Sequence, residues 1–384
     1  MILFPLLFVL LLLLPDLYIW NTFVRGAIPA AGSIAYWIPA ALACATVIAW
    51  FAGIHTDWTI RLFFGLLVCV ALPKALFTLV SLVGRGIGTF APHAATVGNT
   101  IGIGLALLVC GAFLYGFVHG WKRLQTKEIE IVSADLPAAF DGYRIVQFSD
   151  LHIGTFDSDT TYVRRVVERI QHLHPDMIVF TGDLVNASTE ELDPYGSLLS
   201  QLRATDGVFS VLGNHDYCTY RRYDTDDGAA FNVAELKRRQ RAFGWDLLLN
   251  EHRTIRRGSD SIVLVGVEND SQPPFPAHGD LEAALQGVAA GSYKILLSHD
   301  PSHWRREVLP GSDIHLMLSG HTHGMQLKIG RFSPSRWSYP EWGGLYRDNE
   351  GRTLFVSLGV GGTVPFRFGA WPEIDLITLR SGRR

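Results

Sequence analysis

Five short segments of the sequence carry side chains that can bind metal ions or transfer protons. They combine Asp, Asn and His, and three of them place a glycine directly before such a residue. Each follows a short apolar run that predicts a β-strand. Because ligands of open α/β sheets bind beyond the carboxyl ends of the strands, the five segments are expected to meet at one crevice. They are residues 147–152, 180–183, 212–216, 297–300 and 319–323.

The side chains of these segments suit a divalent transition metal. Asp150 and His152 are two residues apart, so extended backbone directs both to the same side. Asn214 adds a neutral amide oxygen, and the histidines of the last two segments add nitrogen. A mixed nitrogen and oxygen set without thiolate favours Mn²⁺, Fe or Zn²⁺ over Ca²⁺ or a structural cysteine site.

Each segment alone also has a purely structural interpretation. Gly-Asp and Gly-Asn after a strand are ordinary turn sequences, and residues 299–301 can begin a helix. However, five of the eleven histidines after Trp121 lie in these segments, each at the end of a predicted strand. Such a cluster is the expected signature of a metal or catalytic site.

The segments belong to a C-terminal region, residues 122–384, in which apolar runs alternate with amphipathic stretches. This alternation predicts an α/β domain, and about 260 residues are enough to bury a sizeable core. Strands are expected at 128–132, 146–149, 177–181, 208–212, 262–267, 294–298, 314–319, 354–358 and 374–379. Helices are expected at 160–173, 190–202, 233–243 and 281–288.

Residues 1–121 have a different composition. They contain six charged side chains, whereas the whole chain has 33 lysines and arginines and 36 aspartates and glutamates. Four apolar stretches approach the ~20 residues that span a bilayer, which predicts four transmembrane helices and excludes a wholly soluble enzyme. The first can also be a signal peptide, but it lacks a positively charged start. The stretches are 2–20, 34–54, 62–83 and roughly 98–119.

The net charge and the cysteine content exclude further classes of protein. The net charge of −3 and the lack of a long basic run disfavour a nucleic-acid-binding protein. The four cysteines form neither a disulfide framework nor a Cys-x-x-Cys metal site.

The basic residues near the ends of the spans predict that the C-terminal domain is cytoplasmic. One side of the membrane would hold Arg61, Lys122, Arg123 and Lys127, and the other only Arg25 and Arg85.

Lys74 lies near the middle of the third predicted span, where an ionisable group usually has a role. It can contact a lipid headgroup or an interhelical partner. Alternatively, it snorkels or pairs with a carbonyl group freed by Pro73.

The ordered set Asp-x-His, Gly-Asp, Gly-Asn-His-Asp, His and Gly-His-x-His, over residues 143–325, resembles the calcineurin-like metallophosphoesterase family. The tail, residues 339–369, resembles the membrane-associated branch that includes bacterial phosphodiesterases and UDP-2,3-diacylglucosamine hydrolases. Where that branch continues Gly-Gly-Gln after the last histidine, this chain has Gly324-Met325-Gln326. The resemblance implies a four-layer α/β/β/α sandwich after the four-helix transmembrane region.

The resemblance also implies a role for each site residue. Two divalent ions are expected, with Mn²⁺ favoured and Fe or Zn²⁺ as alternatives. Asp183 would bridge the two ions, and His215 would act as the acid with Asp216 as its orienting partner. The first ion would be held by Asp150, His152, Asp183 and His323, and the second by Asp183, Asn214, His299 and His321.

The expected activity is hydrolysis of a lipid-linked phosphodiester or pyrophosphate at the membrane, with a UDP-2,3-diacylglucosamine-type glycolipid as the best candidate. The alternatives are a broad phosphodiesterase acting on soluble nucleotides or phosphoproteins, and an inactive membrane receptor or scaffold. The expected partners are the lipid bilayer and the lipid-linked substrate, with no nucleic acid.

Two further features have open interpretations. The aromatic residues of the segment 332–346 can form an apolar lip or pack over the core edge. Arg367 can contact a phosphate or form a surface ion pair.

Overall fold

The computed structural model describes residues 3–52 and 56–382, in two compact units, Met1–His119 and Gly120–Arg384. Residues 2 and 54, at the ends of two predicted spans, lie outside the described residues. The first unit is helical, and the second contains both sheets.

The helices of the first unit correspond to the four predicted spans. The first helix, Leu3–Ile19, continues as a π-helical turn at Trp20–Val24. A second π-helical turn, Leu67–Ala71, joins the helices Asp57–Leu66 and Leu72–Gly88. Three stretches are long and apolar enough to cross a membrane, namely Ala30–Phe51, Trp58–Gly88 and Ala94–Lys122, and Leu10–Val24 is a shorter apolar helix. The helices are α1 (Leu3–Ile19), α2 (Ala30–Phe51), α3 (Asp57–Leu66), α4 (Leu72–Gly88) and α5 (Ala94–Val118).

Helices α4 and α5 approach each other at glycines. A Cβ atom on Gly84 would lie 2.8 Å from the Cα atom of Gly98, and the reverse holds for Gly98. Small residues allow this backbone-to-backbone packing, which replaces the hydrophobic driving force that is missing between helices in lipid.

Lys74 pairs with an acidic residue of another helix. Its Nζ atom lies 2.5 Å from Oδ1 of Asp16, which is buried. The Tyr36 hydroxyl donates to the same carboxylate oxygen at 3.1 Å, and its ring lies under the Lys74 ammonium group. Of the interpretations of Lys74, the structure therefore supports the interhelical partner.

The second unit contains two six-stranded mixed sheets. The first has the strand order β1-β12-β2-β3-β4-β5 and the second β10-β11-β9-β8-β7-β6. The strands are β1 (Gln125–Ser133), β2 (Arg144–Phe148), β3 (Met177–Phe180), β4 (Val208–Ser210), β5 (Asp246–Leu247), β6 (Glu251–Arg257), β7 (Asp260–Gly266), β8 (Tyr293–Leu297), β9 (Leu316–Ser319), β10 (Gly344–Arg347), β11 (Thr353–Val356) and β12 (Glu373–Ser381). The helices are α6 (Thr161–His172), α7 (Gly196–Leu199), α8 (Gly228–Ala242), α9 (Leu281–Leu285) and α10 (Leu309–Gly311).

The two sheets pack face to face, and helices cover their outer faces. In β3, Met177 and Val179 point into the layer between the sheets, whereas Ile178 and Phe180 pack under the helices. Strand β9 alternates in the same way on the other side of the molecule. This period of two buries both faces of the central strands and confirms the expected four-layer α/β/β/α sandwich.

The differences from the predicted elements lie mainly at the sheet edges. Strands β5, β6 and β10 were not predicted, and each is the outermost strand of its sheet. The expected helix at 190–202 is wrong over most of its length, because the chain forms a 3₁₀ turn, Thr189–Leu192, and the short helix α7. Helix α8 begins at Gly228, five residues before the predicted start.

Candidate active site

The five candidate segments follow the carboxyl ends of parallel strands. Strands β2, β3 and β4 are parallel to one another, as are β8 and β9. Five predicted ligands have left-handed backbone, which L-residues rarely adopt and which often marks functional sites. These residues are Asp150, His152, Asp183, His321 and His323, with φ of 53°, 46°, 60°, 71° and 50°.

Two glycines allow these loops to approach the carboxylates. A Cβ atom on Gly213 would overlap Oδ1 of Asp183, and one on Gly320 would overlap the side chains of Ser149 and Asp150. The glycines of the Gly-Asn and Gly-His segments are therefore required by close packing at the site.

The first group of candidate ligands is Asp150, His152, Asp183 and His323, which approach within 4.8 Å of one another. The Nε2 atoms of His152 and His323 are 3.2 Å apart. Oδ1 of Asp150 lies 3.3 Å from Nε2 of His323, and Oδ2 of Asp183 lies 3.5 Å from Nε2 of His152. Two nitrogens and two carboxylates that face one another can direct their lone pairs at a single cation, so the residues present fit a metal ion.

The second group shares Asp183 with the first. Its other members are His299 and His321, and Oδ1 of Asn214 lies next to His321. Nε2 of His299 lies 3.2 Å from Oδ2 of Asp183 and 3.2 Å from Nδ1 of His321. Nδ1 of His321 also lies 2.9 Å from Oδ1 of Asn214. The structure thus brings all seven predicted ligands together, with Asp183 between the two groups.

Burial shifts the pKa of the first-group residues against their charged forms. It raises the pKa of Asp150 to about 6 and lowers that of His152 to about 3, so His152 presents a neutral imidazole, the form that binds metal. Burial would also raise the pKa of Asp183, but the imidazoles of His299 and His215 hold it well below its usual range. In return, the Asp183 carboxylate overcomes the effect of burial on His299 and raises the pKa of that imidazole to about 10.

His215 is held beside the two groups in a defined tautomer. Its Nδ1 atom lies 2.7 Å from the carbonyl oxygen of Asn186, and because a carbonyl only accepts, Nδ1 carries the proton. Its backbone N–H donates to Oδ1 of Asp183 at 2.8 Å. The ring stacks on Tyr220 at a centroid distance of 4.2 Å and lies edge-on to His152.

Asp216 lies elsewhere than expected. Its buried carboxylate accepts hydrogen bonds from the backbone N–H groups of Asp183, Leu184 and Gly213 at 2.8–2.9 Å. The expectation that Asp216 orients His215 is therefore wrong in this structure, since the Asn186 carbonyl has that position. Asp216 instead ties together the loops after β3 and β4, which carry Asp183 and His215.

Aromatic side chains surround the second group. The Tyr339 hydroxyl lies 2.7 Å from Nε2 of His321, the nitrogen opposite to the one that faces Asn214. The Tyr220 hydroxyl accepts from Nδ2 of Asn214 at 2.8 Å, which leaves Oδ1 directed at the site. Phe275 lies edge-on to the His321 ring. The roles of Tyr220 and Phe275 were not predicted. Tyr220 is near the Asn-His-Asp segment in sequence, but no local pattern indicates Phe275.

Arg367 is buried in the site wall. Its Nη1 atom donates to the carbonyl of Ala370 at 3.1 Å, and its Nη2 atom contacts the carbonyl of Gly361. Nη2 also lies 3.1 Å from Nδ1 of His323. The interpretation as a surface ion pair is wrong because only 1% of the residue is exposed. The guanidinium group instead supports the loop after β11 and one candidate ligand.

A third group of metal-binding side chains, Asp270, His303 and Glu307, lies outside this site. Nη2 of Arg306 lies 2.7 Å from Oδ2 of Asp270, and Nε2 of His303 contacts both acids. In this group a permanent cation already pairs directly with one of the carboxylates.

Two family models match the chain. Residues 143–325 match the calcineurin-like phosphoesterases, and residues 1–121 match a model described as a probable calcineurin-like phosphoesterase transmembrane domain.

Three curated proteins illustrate the similarity. A zebrafish (Danio rerio) transmembrane protein with a metallophosphoesterase domain is 31% identical over 287 residues, covering 72% of this chain and 62% of its own length. The uncharacterized metallophosphoesterase YkuE of Bacillus subtilis is 31% identical over 289 residues, 71% of this chain and 94% of that protein. The UDP-2,3-diacylglucosamine pyrophosphatase LpxG of Chlamydia trachomatis is 32% identical over 298 residues, 63% of this chain and 86% of that protein.

The matches agree with what the geometry shows. The matched residues 143–325 contain all seven candidate ligands, and the residues before them form the apolar helices of a membrane protein. The chain belongs to the calcineurin-like metallophosphoesterases, and it is a membrane-bound, metal-dependent phosphoesterase.

Proposed function

We propose that the protein hydrolyses a phosphodiester or pyrophosphate bond in a lipid-linked substrate, with a UDP-2,3-diacylglucosamine-type glycolipid as the first candidate. The observation that carries the proposal is the shared position of Asp183, whose Oδ2 atom lies near His152 and His299 at once. The membrane-spanning unit of the same chain supports a lipid substrate, as does the activity for which the LpxG relative is named.

Metal ions and His215 would have different roles in hydrolysis of the phosphoester bond. Two divalent ions, when bound, would activate water and neutralise the charge that develops on the phosphoryl oxygens. His215 supplies a proton to the departing oxygen: with Nδ1–H fixed on the Asn186 carbonyl, Nε2 is the atom that takes up a proton from solvent and then transfers it. Stacking on Tyr220 fixes the plane of this ring, so Nε2 keeps one direction.

Neighbouring side chains orient the ligands of the second group. The Tyr220 hydroxyl accepts a hydrogen bond from the amide N–H of Asn214, so the amide oxygen is directed at the site. The Tyr339 hydroxyl contacts His321 at Nε2, which leaves Nδ1 for the metal. Such partners outside the ligand set fix ring orientation and tautomer.

The test uses full-length protein purified in detergent and loaded with Mn²⁺, the ion we propose, or with Fe²⁺ or Zn²⁺. Hydrolysis of UDP-2,3-diacylglucosamine is compared with hydrolysis of bis-p-nitrophenyl phosphate, and His215→Ala is the control in both assays. We expect release of UMP from the lipid, dependent on both the metal and His215.

The other outcomes separate the alternatives. Turnover of the small diester alone would contradict the lipid substrate and favour the broad phosphodiesterase. A protein that binds no transition metal and hydrolyses neither compound would contradict enzymatic function and favour a receptor or scaffold.

We also propose that the C-terminal unit lies in the cytoplasm. The proposal rests on Lys122, Arg123 and Lys127 after the last helix, against the single arginines Arg25 and Arg85 in the loops of the other side. Fusion of a fluorescent protein or of alkaline phosphatase to the C-terminus tests it in bacterial cells. Fluorescence without phosphatase activity is expected, and the reverse result would overturn the orientation.

A further inference from the structure

Beside the site, one segment exposes an unusual amount of apolar surface for a catalytic domain. We call residues 325–337 the basic-apolar loop. Its four exposed apolar side chains are Met325, Ile329, Phe332 and Trp337, and Trp337 is 77% exposed. Exposed apolar side chains grouped in one segment can mark an interaction site.

The exposure of these side chains is built into the local structure. The buried Ser333 donates from its hydroxyl to the carbonyl of Gly324 at 2.6 Å and anchors the loop from beneath. Ile329 and Phe332 exchange backbone hydrogen bonds, and the 3₁₀ turn Pro334–Trp337 follows. The rings of Phe332 and Trp337 meet edge to face, with centroids 5.6 Å apart. The chain therefore buries serines here and holds its aromatic rings outward.

The loop is also positively charged. It contains Lys328, Arg331 and Arg336, and the next acidic residue along the chain is Glu341. Arg331 and Arg336 are exposed, and neither forms an ion pair with any described residue. Lys328 is half-buried, and its ammonium group lies over the Trp342 ring. The positive charges of Arg331 and Arg336 are therefore the ones that can meet an external anion.

The loop adjoins the candidate active site. Met325 is two residues after the ligand His323, and the backbone of Lys328 bonds to Phe368, next to the buried Arg367. A surface that engages this loop would therefore lie next to the metal-binding groups.

We propose that the basic-apolar loop docks onto the surface of a bilayer that contains anionic lipids. Aromatic rings with a tryptophan at the tip suit the interfacial zone, and arginine and lysine attract anionic headgroups while their stems cover apolar surface. A protein that bound this loop would need acidic partners for both unpaired arginines, whereas an anionic membrane supplies negative charge across its whole surface. The docking goes beyond the proposed function, since it does not depend on which phosphate ester is cleaved.

Fluorescence quenching by lipids tests the docking in the full-length protein. The protein is reconstituted in liposomes of brominated phosphatidylcholine, with or without phosphatidylglycerol, and the signal of Trp337 is isolated by subtracting the spectrum of Trp337→Phe. We expect the bromines to quench Trp337, and to quench it more strongly when phosphatidylglycerol is present.

The matched control is the double variant Phe231→Trp with Trp337→Phe. Phe231 is an exposed aromatic residue, 72% accessible, on α8 of the same unit, and the residues before it include Asp224, Asp226 and Asp227. Its indole should not be quenched above the level of the Trp337→Phe background. Equal quenching at positions 231 and 337 would overturn the proposal.

The charge contribution is tested with Arg331→Ser combined with Arg336→Ser. Each basic side chain near an anionic membrane contributes a factor of roughly five in binding, so this variant should lower the ratio of docked to undocked loop about 25-fold. Hydrolysis of bis-p-nitrophenyl phosphate should not change. Unaltered quenching in this variant would overturn the proposal.

A measurement in detergent tests for a protein partner. Shielding of Trp337 that rises with protein concentration would indicate such a partner and would also overturn the proposal. The quenching is read without turnover, so its result stands whether or not the lipid substrate proves correct.

Discussion

Two clusters of buried charged residues, one in each unit, balance their charges differently. In the membrane-spanning unit, the carboxylate of Asp16 meets the ammonium group of Lys74 at 2.5 Å and the Tyr36 hydroxyl at 3.1 Å. In the catalytic unit, Asp150 and Asp183 meet imidazoles, whose proton can be exchanged for a metal ion. A carboxylate that pairs directly with a permanent cation serves the fold, whereas carboxylates that face imidazoles are suited to hold an added cation.

The largest expected effect comes from removing the carboxylate that both metal-binding groups share. Asp183→Asn should reduce turnover of bis-p-nitrophenyl phosphate to the background rate, because Asp183 contacts His152 and His299 together. Metal content measured by mass spectrometry should fall in parallel. Asp246→Asn, at a half-buried ion pair with Arg253 outside the candidate site, is the control. Unchanged specific activity in metal-replete Asp183→Asn would contradict the dinuclear site.

The next largest effect separates proton transfer from metal binding. His215→Gln should lower kcat by a factor of about 10²–10⁴, the usual contribution of a positioned acid or base, while metal content stays the same. His278→Gln is the matched control, since His278 is exposed and stacks on Tyr217 instead of facing the ligands. A loss of metal in His215→Gln would mean that this residue serves the metal sites.

Breaking the cluster of the membrane-spanning unit should affect stability instead of chemistry. Lys74→Met leaves Asp16 buried without its cation, which should cost about 3–5 kcal/mol of stability. Thermal unfolding in detergent measures the loss, and the double variant Lys74→Met with Asp16→Asn should recover most of it. Equal instability of the single and double variants would show that the charge pair is not the cause.

The smallest expected signal is a proton released when metal binds. The raised pKa of His299, about 10 beside Asp183, means that this imidazole is protonated at pH 7 in chelator-treated protein. Metal binding should therefore release about one proton from His299, and apparent affinity should rise with pH until the pH reaches about 10. Calorimetric titration with Mn²⁺ at pH 7 in two buffers of different ionisation enthalpy measures the release. A binding heat that is the same in both buffers would contradict it.

The sequence predicted the parts of the molecule that depend on local patterns. Central strands such as β3 and β9 alternate between two buried faces, so nearly every residue is apolar, and the ligands follow directly at their ends. Strand β6, Glu251–Arg257, was missed because it is an edge strand with Ile255 as its single buried residue. Its position depends on pairing with β7, which is a tertiary contact.

The same limit applies to the site. All seven candidate ligands were predicted from motifs, because each motif is confined to a few residues after a strand. The hydrogen-bond partner of His215 could not be predicted from a motif, since it is the backbone carbonyl of Asn186 and every residue type has such a carbonyl. The Lys74–Asp16 pair joins helices 58 residues apart in the sequence, and only packing determines which acidic residue Lys74 meets.

The left-handed backbone at five of the candidate ligands would connect metal supply to the lifetime of the protein. Each such residue costs of order 1 kcal/mol, so the loops that assemble the site are less stable than relaxed loops would be. Metal ions that bind the native arrangement would shift the equilibrium toward it by mass action. In a cell short of the metal, a larger fraction of this enzyme would therefore lack the ions, and its loops would open more often and be degraded sooner. Limited proteolysis with and without chelator would measure the difference. Through these loops, metal availability would control the amount of the enzyme as well as its activity.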